Sequence, residues 1–212
     1  MTSETQNVVF NPLDKQHLGE SVRDALLRQP VLPIANLEPF HGAGIFAIYY
    51  TGDFDGYDLV SIRNINGKFG TPLYVGGAFS KSEIEEELIE NEPGMAIYNQ
   101  LLRHVKSLEE ASNLAVSDFY YRYLIVDDIW IQLGISALIA WHDPLWNKLI
   151  DGFDNGGLNS ICTPVLCPRW DLLHPGRSHA TGWLLREESA VQIKREIYDY
   201  LRGSFPPRCV KK

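Results

Sequence analysis

Tyrosine, histidine and asparagine side chains occur in three segments of the chain that combine them with apolar residues, glycine or proline. Tyr74 lies in Leu-Tyr-Val-Gly-Gly-Ala, His104 lies in an apolar-periodic segment, and Asn147 ends Pro-Leu-Trp-Asn. A phenol and an imidazole can transfer protons and an amide can donate or accept hydrogen bonds, so the set suits general acid–base chemistry. Each residue also has a structural interpretation, respectively as a buried strand aromatic, a surface helix residue and a turn cap.

Short β-prone runs and helical patterns must position these side chains. Apolar and aromatic runs predict strands over 45–50, 73–75 and 119–126. Apolar spacing predicts helices over 14–28, 95–108, 129–141 and 187–202, and the acidic run 85–87 indicates a solvated helix face within 82–91. This order of elements predicts an α+β fold, with a small β-sheet flanked by helices, an N-terminal helix and a C-terminal loop and helix extension.

The length of 212 residues suits one domain with modest extensions. We expect an arm and helix over 1–37, a core over 38–150, and over 151–212 a loop-rich extension whose helix packs on the core. Within the core and its approach, 29–44 and 53–70 are expected to be connections without helices or strands.

The charge distribution is uneven along the chain, and the net charge is −8. Residues 1–167 carry 10 basic and 22 acidic side chains, whereas residues 168–212 carry 9 basic and 5 acidic ones. Proteins that bind DNA neutralise phosphates with lysine and arginine, so the acidic excess of residues 1–167 argues against that function. A local cleft can nevertheless be basic on an acidic protein.

Several classes of protein and site are disfavoured by composition. No apolar run approaches the ~20 residues that a membrane span needs, and the polar N-terminus lacks a signal-peptide layout, which predicts a cytoplasmic protein without membrane contact. The three cysteines, Cys162, Cys167 and Cys209, belong to no paired Cys/His set, so we expect neither a disulfide framework nor a zinc site.

Five segments together resemble the GIY-YIG nuclease superfamily, and within it the type II restriction endonucleases that cut CCGCGG. The segments, over about residues 38–180, are 44–52, 73–78, 144–147, 151–155 and 170–177. The resemblance implies double-stranded DNA as the partner, a twofold homodimer, and phosphodiester hydrolysis with one divalent metal ion such as Mg²⁺. In such a site two tyrosines help to generate or orient the nucleophile. An arginine and a histidine hold the phosphate and assist proton transfer. A glutamate binds the metal, and an asparagine completes the site.

Three positions of the resembled site keep their residue type and three do not. Tyr74, His104 and Asn147 match the second tyrosine, the histidine and the asparagine. The first tyrosine, the arginine and the metal glutamate fall on Phe46, Gln100 and Ile135. Because isoleucine cannot bind a hard cation, we expect no metal cofactor unless nuclease activity persists, in which case Mg²⁺ is required.

Four further residues are candidates for replacing or extending the lost groups. Tyr49, or else Tyr50, could supply the hydroxyl that Phe46 lacks. Arg103 is a poor substitute for an arginine at Gln100, since neighbouring helix positions point about 100° apart, but it remains a candidate for substrate binding. Arg177 is a candidate phosphate contact, although by default it is a solvated charge.

The family resemblance, the His-Pro-Gly-Arg element at 174–177 and the basic C-terminal stretch favour a DNA-binding protein, and the three substitutions indicate a pseudonuclease that has lost metal-dependent cleavage. An alternative is a metal-independent enzyme for a small molecule, with Tyr74, His104 and Asn147 in a pocket made more apolar by Phe46 and Ile135. A second alternative is an active type II restriction endonuclease. That function requires a carboxylate beside His104 that the sequence does not identify.

Overall fold

An antiparallel four-stranded sheet forms the centre of the protein. The computed structural model describes residues 14–80, 94–154, 166–180 and 183–204. The strands lie in the order β1-β4-β2-β3, and every pairing is antiparallel. They are Leu32–Pro33 (β1), Gly44–Tyr50 (β2), Tyr74–Ala78 (β3) and Phe119–Ile125 (β4). The three strands that we predicted are therefore confirmed, and β1 lies within the segment 29–44 that we expected to lack regular structure.

Seven helices in the described part of the chain flank this sheet. They are Lys15–Leu27 (α1), Asp58–Asn64 (α2), Ala96–Glu110 (α3), Asp128–His142 (α4), Leu145–Lys148 (α5), Arg169–Leu173 (α6) and Ala190–Ser204 (α7). Four of them confirm the predicted helices, and together with the antiparallel sheet they confirm the α+β fold. The predicted solvated helix over 82–91 lies outside the described residues. None of the described helices is long and apolar enough to cross a membrane.

The alternation of β2 separates two apolar cores, one on each face of the sheet. Ile45 and Tyr49 point into the core that α1 and α4 cover, whereas Phe46, Ile48 and Tyr50 point into the larger core on the opposite face. Every residue of β2 is buried, because it is a central strand with helices on both sides. The candidate site forms in the larger core, at the end where β3 is the sheet edge.

The segment 53–70 corrects one prediction. We expected a polar connection, but the structure forms α2 there, with Val60 buried and Tyr57 buried just before the helix. The buried amide of Asn64 donates to the carbonyls of Tyr50 and Thr71 at 3.0 and 2.8 Å. These long-range contacts stabilise a helix too short to show a periodic pattern.

The two ends of the described chain both contact the central part. Arg23 of α1 lies 4.0 Å above the ring of Trp141 on α4. Ile193, Ile197 and Leu201 of α7 are buried in the larger core. The domain boundaries that we assigned remain predictions.

Candidate functional site

Four aromatic side chains meet in the larger core and form what we call the ring cluster, namely Phe46, Tyr74, His104 and Phe153. The ring of His104 stacks on that of Phe153 at 4.4 Å with an interplanar angle of 13°, and it lies 5.3 Å from the ring of Tyr74 and 5.6 Å from that of Phe46. Strand alternation directs Phe46 and Tyr74 to this face, and α3 supplies the histidine. Tyr74 is only 6% exposed and His104 only 2%, so both rings are buried.

His104 is electrically neutral in this environment. Burial, and to a smaller extent the positive charges of Arg103 and Arg177, lowers the pKa of His104 to about 3. An imidazole with that pKa carries no charge at physiological pH. It can accept a hydrogen bond, but it is a weak base.

The amide of Gln100 connects His104 to a carboxylate. Its Nε2 lies 2.8 Å from Oδ1 of Asp154 and 3.3 Å from Nε2 of His104, while its Oε1 accepts a hydrogen bond from Arg103. Because the oxygen is engaged by a guanidinium, both N–H groups face the other two partners. Nε2 of His104 is therefore the acceptor, and the proton of this neutral imidazole lies on Nδ1.

Asp154 is the carboxylate that sequence reasoning did not identify. Its Oδ1 lies 3.9 Å from Nε2 of His104, and its side chain is 61% exposed. Burial raises the pKa of Tyr74, and the charge of Asp154 and a hydrogen bond to it raise this pKa further. The only sequence signal was membership of the segment 151–155, which carried part of the family resemblance.

Arg103 reaches the site through its contact with Gln100. It is half-buried on α3, and Nη2 donates to the amide oxygen of Gln100. Residues 100 and 103 are three positions apart on α3 and are therefore neighbours on the helix surface, so the long side chain of arginine reaches the head group of residue 100. A guanidinium is thus present one contact away from His104.

Asn147 holds the backbone of β3. Its Oδ1 accepts the N–H of Val75 and its Nδ2 donates to the carbonyl of Val75, both at 2.8 Å. The amide therefore positions the strand that carries Tyr74. A catalytic role of Asn147 remains a prediction, and these two bonds support the structural interpretation.

Two predicted site residues lie across the sheet from the ring cluster. Tyr49 and Ile135 both belong to the core beneath α1 and α4. The hydroxyl of Tyr49 is buried without a hydrogen-bond partner among the described residues, and burial raises the pKa of Tyr49 to about 12. Tyr49 is therefore not placed to replace the hydroxyl that Phe46 lacks. Tyr50 is on the correct face, but its hydroxyl accepts the N–H of Phe54 at 2.9 Å.

A glycine pair on the edge strand separates Phe46 from Ile135. A methyl group added at Gly76 would lie 2.6 Å from Cζ of Phe46, and one added at Gly77 would lie 2.7 Å from Cδ1 of Ile135. The two side chains thus approach β3 closely from opposite faces. This contact requires glycine at both positions.

Arg177 does not fit the predicted role in phosphate binding. Its side chain is 0% exposed and forms an ion pair with Asp171, with Nε 2.6 Å from Oδ1. It also donates to the carbonyl of Gly152 at 2.9 Å and lies 4.3 Å above the ring of Trp170. A guanidinium that is buried and paired in this way holds the loop 171–177 on the core rather than facing a ligand.

A second buried network lies beside the ring cluster and was also missed from sequence. The hydroxyl of Tyr57 lies 2.7 Å from Nε2 of His174 and accepts the indole N–H of Trp146 at 2.9 Å. Nδ1 of His174 lies 3.0 Å from Oδ1 of Asn113. Burial lowers the pKa of His174 to about 3. The network is structural, since Tyr57 and His174 are both fully buried.

Of the six basic side chains that the structure describes after position 167, four form ion pairs within the chain. The pairs are Arg169 with Glu188 and Glu196, Arg177 with Asp171, Arg186 with Asp151 and Lys194 with Asp55. These charges are therefore not a free surface for phosphates. The net charge of a segment did not predict this pairing.

The metal ion of the resembled nucleases does not fit the residues at its expected position. Ile135 offers an alkyl group in an apolar core, where a hard cation would need oxygen atoms. In the described parts of the chain, no three histidine, cysteine or carboxylate side chains form a group that could hold a metal ion.

Comparison with known proteins agrees with this architecture. The model of one protein family, described as the Eco29kI GIY-YIG domain, matches residues 38–201. A search of curated proteins found no match. The family match covers most of the chain and contains β2, β3 and β4, the ring cluster and α6. The chain therefore belongs to the restriction-endonuclease-like family of the Eco29kI GIY-YIG domain.

Proposed function

We propose that this protein binds duplex DNA through its restriction-endonuclease-like scaffold and lacks metal-dependent cleavage. The observation that supports the loss of cleavage is that a neutral amide, that of Gln100, contacts both His104 and Asp154. Family membership supports DNA as the partner. A palindromic site such as CCGCGG, bound by a twofold dimer, is the corresponding proposal for specificity.

The chemistry of phosphodiester hydrolysis supports the loss of cleavage. The transition state accumulates negative charge, which a cation and fixed donors must stabilise. Here residue 100 is a neutral amide, residue 46 has no hydroxyl, and residue 135 cannot bind a metal. Since a bound metal contributes roughly several kcal/mol, its loss alone slows the reaction by orders of magnitude.

Exposed lysines on the helices that carry His104 and Asn147 are the proposed source of the charge that duplex binding needs. Lys106 is exposed one turn after Arg103 on α3, and the exposed Lys148 directly follows Asn147. These side chains are better placed for phosphates than the paired arginines after position 167. The DNA-binding face is therefore proposed to surround the ring cluster.

Fluorescence anisotropy with two labelled duplexes tests DNA binding. One duplex contains CCGCGG and the other has the same composition in scrambled order, each at low and moderate salt. We expect selective binding that weakens steeply with salt, because phosphate contacts release counterions. No binding of either duplex at low salt would reject the proposal.

Incubation of plasmid with Mg²⁺ or Mn²⁺ tests the loss of cleavage. We expect intact plasmid at protein concentrations that saturate the duplex. Cleavage at defined sites, abolished by EDTA, would contradict the proposal.

An active endonuclease is a second candidate, because the carboxylate that this function requires is present. Asp154 lies 3.9 Å from Nε2 of His104 and is hydrogen-bonded to Tyr74. If EDTA-sensitive cleavage is found and is lost in Asp154→Asn, the second candidate replaces the first. The small-molecule alternative has no comparable support among these contacts.

A further inference from the structure

Polar groups of the site converge on a single carboxylate at its solvent side. Gln100 donates to Oδ1 of Asp154 at 2.8 Å, and the hydroxyl of Tyr74 is hydrogen-bonded to the same carboxylate. Arg103 holds the amide of Gln100 in the orientation that makes this donation possible. Donors arranged around a carboxylate also suit phosphate oxygens, because both anions offer only acceptor atoms.

The backbone that carries Asp154 is held by several contacts. Phe153, the preceding residue, is buried and stacked on His104. Gly152 has a φ of +103°, and a methyl group there would lie 2.1 Å from Cβ of Pro168. Its carbonyl accepts a hydrogen bond from Arg177. The carboxylate is thus delivered to the donors by an anchored segment.

We propose that Asp154 is a tethered anion that occupies a phosphate-binding subsite formed by Gln100 and Tyr74, in which Arg103 orients the amide of Gln100. A phosphodiester oxygen can use these donors only when the carboxylate moves away or loses its charge. The natural ligand, a phosphate of duplex DNA, rests on the proposed function. The subsite itself does not, since inorganic phosphate is sufficient to reveal it.

Removal of the carboxylate should open the subsite to external anions. In Asp154→Ala the donors face solvent, and the local negative charge is gone. We expect this variant to bind inorganic phosphate at least tenfold more tightly than the unchanged protein, and to bind duplex DNA at least tenfold more tightly at low salt. Asp154→Asn removes the charge but keeps an acceptor for Gln100, so we expect an intermediate gain.

A matched control separates this effect from net charge. Asp55→Ala also removes one negative charge, but from an exposed carboxylate that pairs with Lys194. We expect its affinities for phosphate and duplex to stay within about twofold of the unchanged protein. A double variant, Asp154→Ala with Gln100→Leu, should lose the gain in phosphate binding, because the principal donor is gone.

The phosphate titration is read by NMR from the backbone amide signals of residues 100 and 103, which every variant retains, and duplex binding is read by anisotropy. A saturable shift confined to the two Asp154 variants supports the tethered anion, whereas equal shifts in all variants, or none in either Asp154 variant, overturn it.

If phosphate binds as expected but no variant binds duplex, the subsite is retained and the DNA function fails. If duplex binds equally to all variants without the phosphate effect, the DNA function is retained and the tethered anion fails. Should Asp154→Ala not fold, Asp154→Asn gives the same decision.

Discussion

The hydroxyl of Tyr57 and Nε2 of His174 lie 2.7 Å apart in the protein interior, although 117 positions separate them in the chain. Nδ2 of Asn113 donates to the carbonyl of Leu173, so Oδ1 of Asn113 can only accept, and the proton of the neutral His174 lies on Nδ1. Nε2 of His174 therefore accepts the hydroxyl proton of Tyr57, whose oxygen accepts the indole N–H of Trp146. The direction of every bond in this buried chain is therefore fixed.

Loss of the Tyr57 hydroxyl should leave two buried groups without their partner. We expect Tyr57→Phe to lower the free energy of unfolding by about 2–4 kcal/mol, because both Trp146 and His174 lose a hydrogen bond without gaining water. Urea unfolding followed by circular dichroism measures this change. Tyr198→Phe, at an exposed position on α7, should change stability by less than about 0.5 kcal/mol. A loss of similar size in both variants would show that the network contributes no specific stability.

The two neutral histidines should make stability depend on pH. Burial lowers the pKa of His104 and of His174 to about 3, whereas the unfolded chain titrates near ~6.5. The unfolded state therefore binds more protons between these values, so this contribution to stability is complete above about pH 6.5 and is lost as pH falls towards 3. When the pH falls from 7 to 5.5, each histidine should lower the free energy of unfolding by about 1 kcal/mol.

Unfolding free energies of variants measured from pH 7 to 5.5 test this assignment. His104→Phe keeps an aromatic ring against Phe153 but cannot titrate, so its stability should fall less steeply with acid. His41→Gln, which changes an exposed histidine, should keep the full slope. Equal slopes in all three proteins would show that His104 does not control the pH dependence.

Restoration of the three replaced groups should restore cleavage if the DNA-binding face is intact. We expect the variant Phe46→Tyr/Gln100→Arg/Ile135→Glu to nick or cut plasmid with Mg²⁺, with a gain of at least about 100-fold over the unchanged protein. Ile135 is half-buried and lies against Gly77 of the edge strand, so a carboxylate at position 135 has to reach the metal past this glycine, from the face opposite the ring cluster. A fourth change, Tyr74→Phe, should remove the gained activity. A folded triple variant that binds duplex without cutting would show that more of the site has been lost than these three groups.

Reversal of charge beside the ring cluster should weaken duplex binding. Lys106→Glu combined with Lys148→Glu places negative charge on α3 and directly after Asn147, so we expect at least tenfold weaker affinity and a smaller salt dependence. Lys68→Glu, at another exposed position, should have less than about a third of this effect. The measurement is anisotropy at two salt concentrations, and an equal loss from Lys68→Glu would argue against a defined face.

Local sequence patterns predicted the strands. They did not show which residues meet in the site, because those residues are far apart in the sequence. The alternation of β2 is visible in residues 44–50 themselves, and the structure confirms that strand. Asp154 meets Gln100 across 54 positions, and no period or motif connects the two. Tyr57 lies in a mostly polar segment, so a single buried aromatic gave no helical signal.

The arginine side chains show a second reason why the contacts in the site could not be predicted from the sequence. We interpreted Arg177 as solvated or phosphate-binding because lone arginines usually are, but its partner Asp171 lies six residues earlier, a spacing outside the usual helical pairs. Arg103 was discounted from helix geometry, yet its flexible side chain reaches Gln100. Backbone periodicity predicts where a Cβ points, but it does not determine where the end of a long side chain lies.

The bonds from residues 146 and 147 to β3 protect this protein against unwanted self-association. β3 ends the sheet, and its outward backbone groups would otherwise offer a template to any extended chain. The N–H of Trp146 binds the carbonyl of Leu73, and the amide of Asn147 binds both backbone groups of Val75. Two consecutive residues thus take the place of a fifth strand. The half of the β3 edge nearest Tyr74 is therefore not available to pair with another extended chain.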